Sequence, residues 1–138
     1  MNVQDKEFSL PIRVYIEDTD AGGIVYYVNY LKFLERARTE FMRALGFDKQ
    51  AIFNQGLMFV VRDVSLSYQK PAQLDDQLVA TVNVCRVGGA SMELHQRVLR
   101  GTELLAGGEV KIACVDPAQL NARRMPKDML AKLRAFLS

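Results

Sequence analysis

Histidine is almost missing from this 138-residue chain: His95 is the only one. It falls in a strand-like run with no linked Ser or Cys motif, which removes the basis for a nucleophile–histidine triad. Cysteine is scarce too. Cys85 and Cys114 lie far apart in strand-like segments, without CxxC spacing and without a histidine nearby, so they are expected as free buried thiols and not as a disulfide or a metal site. There is no G-x-S-x-G, no P-loop and no set of metal ligands. Long apolar runs are missing as well: nowhere do eighteen apolar residues follow one another, and Asp5, Lys6 and Glu7 interrupt any signal-peptide-like start. A cytosolic protein without a transmembrane segment is expected. A net charge of +2 is too small to argue for nucleic acid or for a membrane surface. No internal repeat, low-complexity segment or linker divides the chain, and its length fits one domain, 1–138, that buries roughly two-thirds of its unfolded surface.

What is present is ordered along the chain. Phe8 to Glu17 reads as a first strand, with Ile12, Val14 and Ile16 alternating against Arg13 and Tyr15. From about Tyr27 to Leu45 the apolar positions Tyr30, Phe33, Leu34, Ala37, Phe41, Ala44 and Leu45 recur at three- and four-residue spacing, which predicts a long amphipathic helix. Gly46 stands where a left-handed C-terminal cap belongs, and Asp48 is placed to cap a short second helix ending near Gly56. Four strand-like runs follow. Leu57 to Gln69 alternates as Val60, Val64, Leu66 and Tyr68; Leu78 to Val87, Ser91 to Arg100 and Leu104 to Val115 come next, the last interrupted by Gly107-Gly108 as a candidate bulge. Lys127 to Leu137 returns to helical spacing. One strand, one long helix and four antiparallel strands make an α+β class in which a curved sheet wraps the helix, because the helix carries too much apolar surface for one side of a small flat sheet.

Between the first strand and the helix lies Asp18-Thr19-Asp20-Ala21-Gly22-Gly23, two carboxylates at a glycine turn opening into a helix. An acid beside free helix N-terminal N–H groups can attack a carbonyl, or activate water to attack it, while the helix end polarises the carbonyl oxygen. The plainer role for such a pair is to cap a turn and a helix. Ser65 and Ser67 read as polar strand residues, and Asp75-Asp76 as a solvated turn.

The run Val14-Tyr15-Ile16-Glu17-Asp18-Thr19-Asp20-Ala21-Gly22-Gly23-Ile24-Val25-Tyr26, continued by Tyr30 and by Leu34-Glu35-Arg36-Ala37-Arg38-Thr39-Glu40, resembles the Tol-Pal-associated, YbgC-like acyl-CoA thioesterases of the 4-hydroxybenzoyl-CoA thioesterase family. The likeness extends through Phe59-Val60-Val61-Arg62, Pro71 to Asp76 and Cys114 to Pro117. It implies a hotdog fold and hydrolysis of an acyl-CoA, or of an acyl group on acyl-carrier protein, to the free acid, without cofactor or metal. By position it assigns the catalytic carboxylate to Asp20, the tight turn to Gly22 and Gly23, and an oxyanion-stabilising backbone N–H to the neighbourhood of Tyr27. YbgC-like members often carry histidine where this chain has Tyr27, which withdraws an acid–base side chain and leaves the backbone role. That same absence argues against a hotdog dehydratase or hydratase, whereas a non-catalytic CoA- or acyl-carrier-binding module remains the alternative. Asp18 is expected to fix the turn and Tyr15 to border the pocket or to pack. Ser91 is a minor pocket candidate, and Arg62, Arg123 and Arg124 are candidates for the phosphates of coenzyme A, with Lys127 beside the last two. The resemblance also implies a homo-oligomer, a tetramer preferred over a dimer, with each pocket between chains.

Overall fold

The five strand-like runs produce one antiparallel sheet. The structure, a computed structural model, describes residues 6–137, so Asp5 and the two ends of the expected domain lie outside the described residues. Strands β1 (Phe8–Arg13), β2 (Met58–Tyr68), β3 (Gln77–Val87), β4 (Ser91–Arg100) and β5 (Glu103–Val115) are arranged in the order β1-β3-β4-β5-β2. Helix α1 (Asn29–Ala44) lies on the concave face, α2 (Lys49–Asn54) follows it, and α3 (Lys127–Ala135) closes the β3 side. The expected wrapping of a sheet around a central helix is what the chain does.

The helix forms for the reason its spacing suggests. Tyr30, Phe33, Leu34, Ala37 and Phe41 are buried against the sheet, each large side chain contributing about 1.5–3 kcal/mol on leaving water. The last turn differs from expectation: Met42 is buried and Ala44 is exposed. Gly46 ends the helix at φ +98°, with its N–H on the Arg43 carbonyl at 3.0 Å and the Phe47 N–H on the Met42 carbonyl at 2.9 Å, a Schellman closure. Asp48 then caps α2, accepting the Ala51 N–H at 2.8 Å.

Four sequence expectations are corrected. The first strand stops at Arg13, and Ile16 lies in a single 3₁₀ turn, Ile16–Asp18, with its side chain exposed. In β2 the register shifts between Val61 and Asp63, so Phe59 and Val61 stand opposite the buried Cys114 and Ile112, while Val64 stands opposite Val110. Arg62 is the extra residue, and it changes the phase of the alternation. Gly107-Gly108 is no bulge. The irregularity of β5 lies between Leu104 and Ala106, where it pairs with β4, and Gly108 is instead a point of close strand approach, because a Cβ there would overlap the Ser65 carbonyl of β2. Cys114 is buried as expected, but Cys85 is exposed; both are free thiols.

Gly108→Ala is therefore expected to lower unfolding free energy by about 2–3 kcal/mol, the range for overpacking between elements that cannot move apart. Gly107→Ala, whose new Cβ would meet Arg97 at an ordinary 3.5 Å, should cost about 0.5 kcal/mol or less. Urea titration of both variants checks the difference; equal losses would contradict the close approach.

Candidate active site

The acidic turn is held from both sides. Asp18 is 2% exposed, and its carboxylate accepts the Tyr15 N–H at 2.9 Å and the Asn29 side-chain amide at 2.8 Å. Asn29 is the first residue of α1 and is itself buried, so one carboxylate joins the segment that follows β1 to the start of the helix. Its role in fixing the turn is as expected from the sequence. Asp20 is exposed. One of its oxygens, Oδ1, accepts the N–H groups of Gly22 at 2.8 Å and Ile24 at 3.3 Å, while Oδ2 has no hydrogen-bond partner among the described residues. Gly23 completes the turn at φ +78°, a conformation that costs a side-chain-bearing residue free energy.

The connection from Lys70 to Asp76 grips the same turn from outside. The Val25 N–H reaches the Ala72 carbonyl at 2.8 Å and the Leu74 N–H the Gly23 carbonyl at 2.9 Å. The Ala72 N–H donates to the Tyr30 hydroxyl at 2.9 Å, and burial pushes that phenol's pKa up. Asp76 is not the solvated residue expected: it accepts from Arg100 at 2.6 Å and from the Gln73 N–H at 2.8 Å. Arg100 also holds Glu103 at 2.7 Å, and Lys70 reaches Glu103 at 2.8 Å. Hydrogen bonds from Lys70 and then Arg100 hold the Glu103 carboxyl below the ordinary carboxylate range.

At the helix start, the N–H groups of Asn29, Tyr30 and Leu31 are taken by the carbonyls of Tyr26, Tyr27 and Val28. Those of Tyr27 and Val28 have no hydrogen-bond partner among the described residues. The helix begins two residues later than its periodicity suggests, and its free amides belong to the residues just before it. The Tyr27 ring is exposed and stacks with Tyr26 at 5.2 Å and edge-on with Tyr68 at 6.0 Å. The Tyr68 hydroxyl donates to the Tyr27 carbonyl at 3.2 Å. Tyr15 is likewise exposed. A carboxylate oxygen in the turn closed by the Thr19–Val25 bridge and free amides in the turn that opens α1 are groups that can attack and polarise a carbonyl.

Other candidate residues lie elsewhere within one chain. β4 runs from Ser91 to Arg100, roughly 30 Å of strand, and it is the Arg100 end that meets the acidic turn. Ser91 therefore stands at the far end, beside Gly88, with Arg124 against Gly89. Arg123 is there too, its N–H on the Cys114 carbonyl at 2.9 Å and its guanidinium on the Gln55 carbonyl at 3.4 Å. Arg62 is exposed in the middle of β2. At this far end a cavity of about 860 Å³ opens between α1, α2 and the sheet, walled by Met42, Ile52, Phe59, Val61, Leu94 and Ile112 among others. Sequence reasoning missed Asn29, the Tyr30 hydroxyl and Tyr68. A polar residue at the first helical position was the available signal for Asn29; nothing local marks the other two, whose partners are 42 and 41 residues away.

A family model described as the thioesterase-like superfamily matches residues 14–133. The acyl-CoA thioesterase YbgC of Haemophilus influenzae is 45% identical over 128 residues, covering 92% of this chain and 94% of that protein. The acyl-CoA thioester hydrolase YbgC of Escherichia coli O157:H7 is 41% identical over 128 residues, covering 92% and 96%. Among solved structures, a probable thioesterase from Bartonella henselae superposes with a TM-score of 0.82 at 35% identity, over 87% of this chain and 99% of that one.

Asp18→Ala leaves the Tyr15 and Asn29 donors without their buried acceptor, and should lower unfolding free energy by about 2–4 kcal/mol, as expected for donors of a buried charged group. Asp20→Ala removes only exposed turn bonds and should cost about 1 kcal/mol or less. Paired urea titrations check this; a larger loss from Asp20→Ala would contradict the division of labour.

Proposed function

This chain belongs to the thioesterase-like superfamily, and on that premise we propose that it hydrolyses acyl-CoA thioesters to free acid and coenzyme A, with Asp20 as the reacting carboxylate. The observation that carries the reading is an exposed Asp20, whose Oδ2 is unpaired among the described residues, in a turn that Asp18 ties to the start of α1, where the Tyr27 and Val28 amides are free. A thioester carbonyl is electrophilic enough for a single carboxylate to serve as nucleophile, or as base for a water. As nucleophile, Asp20 forms a mixed anhydride, the carbon–sulfur bond breaks, the thiolate leaves and water then cleaves the anhydride. In either course negative charge grows on the carbonyl oxygen, where the Tyr27 N–H and the helix dipole stabilise it. An acyl group on acyl-carrier protein presents the same thioester and is the alternative donor. The protein acts in the cytoplasm.

The site is completed by a second copy. β1 is an edge blunted by Pro11, whereas β2 is an 11-residue edge strand that leaves Val61, Val64 and Tyr68 exposed. Pairing β2 with its own copy about a two-fold axis is antiparallel, so the Tyr68 end of one strand lies beside the Met58 end of the other. The acidic turn of one chain then faces the far end of its neighbour: Ser91, Arg123, Arg124 and the apolar cavity. Phosphates meet the arginines and the acyl chain enters the cavity. Two such dimers make the tetramer.

Asp20→Asn should keep the shape of the turn and lower kcat by at least about a thousandfold, or roughly 4 kcal/mol of barrier. Tyr27→Phe should keep most activity, because the donor is main chain, while Gly23→Val should lose most of it through strain at φ +78°. Thiol release from a panel of acyl-CoAs, measured on variants shown to be folded, tests all three; near-normal turnover by Asp20→Asn would overturn the assignment. Light scattering that found an active monomer at micromolar concentration would overturn the shared site.

A further inference from the structure

β4 alternates Met92, Leu94, Gln96 and Val98 toward the helix, and all four are buried. Gln96 is a polar residue at a core position, with 0% exposure. Both protons of its amide are spent, on the Leu34 carbonyl of α1 and the Thr81 carbonyl of β3, each at 3.1 Å. The Thr81 hydroxyl in turn accepts the Arg97 N–H at 3.0 Å, so side chains stand in where ladder bonds between β3 and β4 would run. With its amide oriented this way, Gln96 turns Oε1 to one donor, the Arg38 guanidinium at 2.9 Å.

Arg38 lines the cavity together with Leu94 and Ile112 of the sheet and Phe59 and Val61 of β2. Its anchor is neutral. A glutamate at position 96 would have cancelled the charge, whereas glutamine fixes the planar fork and leaves the charge whole. Arg38 makes no ion pair within 4.0 Å among the described residues. Glu35 and Lys49 are the other charged residues on the cavity wall, so the wall carries one more positive than negative group. Burial lowers the guanidinium's pKa and Glu35 opposes that shift, the signature of a desolvated cation whose charge is only partly offset.

We propose that the cavity receives an apolar chain that ends in a carboxylate, and that Arg38, held by Gln96, is the residue that recognises that end. The walls bury the chain and the guanidinium fork pairs with the carboxylate, a charge-assisted contact stronger than a neutral one. Two molecules carry this chemistry: the free acid released by hydrolysis, and an acyl-CoA whose acyl chain bears a second carboxylate at its far end. Both sources rest on the reading of the chain as an acyl-CoA hydrolase whose acyl group enters this cavity; the binding of an apolar carboxylate itself does not.

The test starts with calorimetry, using decanoate and decan-1-ol. The wild type is expected to bind decanoate at least about tenfold more tightly, and Arg38→Met to lose that preference or reverse it in favour of the more apolar alcohol. Arg38→Lys, which keeps the charge without the fork, serves if Arg38→Met does not fold, and should retain a weaker preference. Kinetics then separate the sources. If the carboxylate is the substrate's far end, Arg38→Met lowers kcat/KM for the mono-CoA thioester of decanedioic acid about tenfold and leaves decanoyl-CoA little changed. If it belongs to the released acid, decanoate inhibits decanoyl-CoA hydrolysis in the wild type and about tenfold less in Arg38→Met. Wild-type protein that binds decanoate no better than decan-1-ol overturns the proposal, whatever the variants do. Absence of hydrolysis with both thioesters would overturn the hydrolase reading, and calorimetry would still decide the carboxylate site.

Discussion

One buried carboxylate decides where the acidic turn sits. Asp18 has 2% of its surface exposed and must find donors for its oxygens on leaving water. It finds them on opposite sides of the turn, in the Tyr15 N–H and the Asn29 amide. Because Tyr15 follows β1 by two residues and Asn29 opens α1, the segment between them is tied at both ends, and Asp20 lies within it. Asp18 is buried and Asp20 exposed, so two acids two residues apart differ sharply in solvent access.

The polar groups beneath α1 repeat this logic deeper in the fold. Gln96 ties the helix carbonyl of Leu34 to the sheet carbonyl of Thr81, which fixes how the central helix lies across β3 and β4. A leucine there would have packed without disturbing the ladder between those strands. The amide spends its donors on the two backbones and its acceptor on Arg38, so a structural tie and the placement of a cation are the same set of hydrogen bonds. At the opposite end of the helix, the ion network of Arg100, Asp76, Glu103 and Lys70 secures the connection that grips the acidic turn. Its members are exposed enough for water to screen them, and its contribution lies in geometry more than in stability.

Groups of different chemistry lie at the two ends of α1. The carboxylate and the free amides are at one end of α1, and the apolar cavity, Ser91 and the paired arginines are at the other. The two-fold pairing of β2 proposed above would set these opposite ends side by side. The asymmetry between a proline-bearing β1 and an open β2 marks which edge is available.

Periodicity determined the class, the long helix and the four later strands, because burial of one helix face or one sheet face leaves a direct imprint at spacings of three and four or of two, and cap chemistry marked the Gly46 stop and the Asp48 start. It also singled out the Asp18 to Gly23 turn, since glycines and paired acids between a strand and a helix have few local uses, and resemblance to a known family ranked Asp20 above Asp18. Tertiary structure decided the rest. The inserted Arg62 moved Val61 to the inner face, a change that alternation in one strand cannot register without its partner. Gly108 is glycine because another strand's carbonyl presses on it, and Asp76 is paired because the β3–β4 hairpin brings Arg100 back beside it from 24 residues away. Arg38 read as one more polar residue on a helix, and Gln96 as one more polar residue on a strand. Their meaning comes from a contact across 58 residues of sequence, between two elements whose local patterns carry no information about each other.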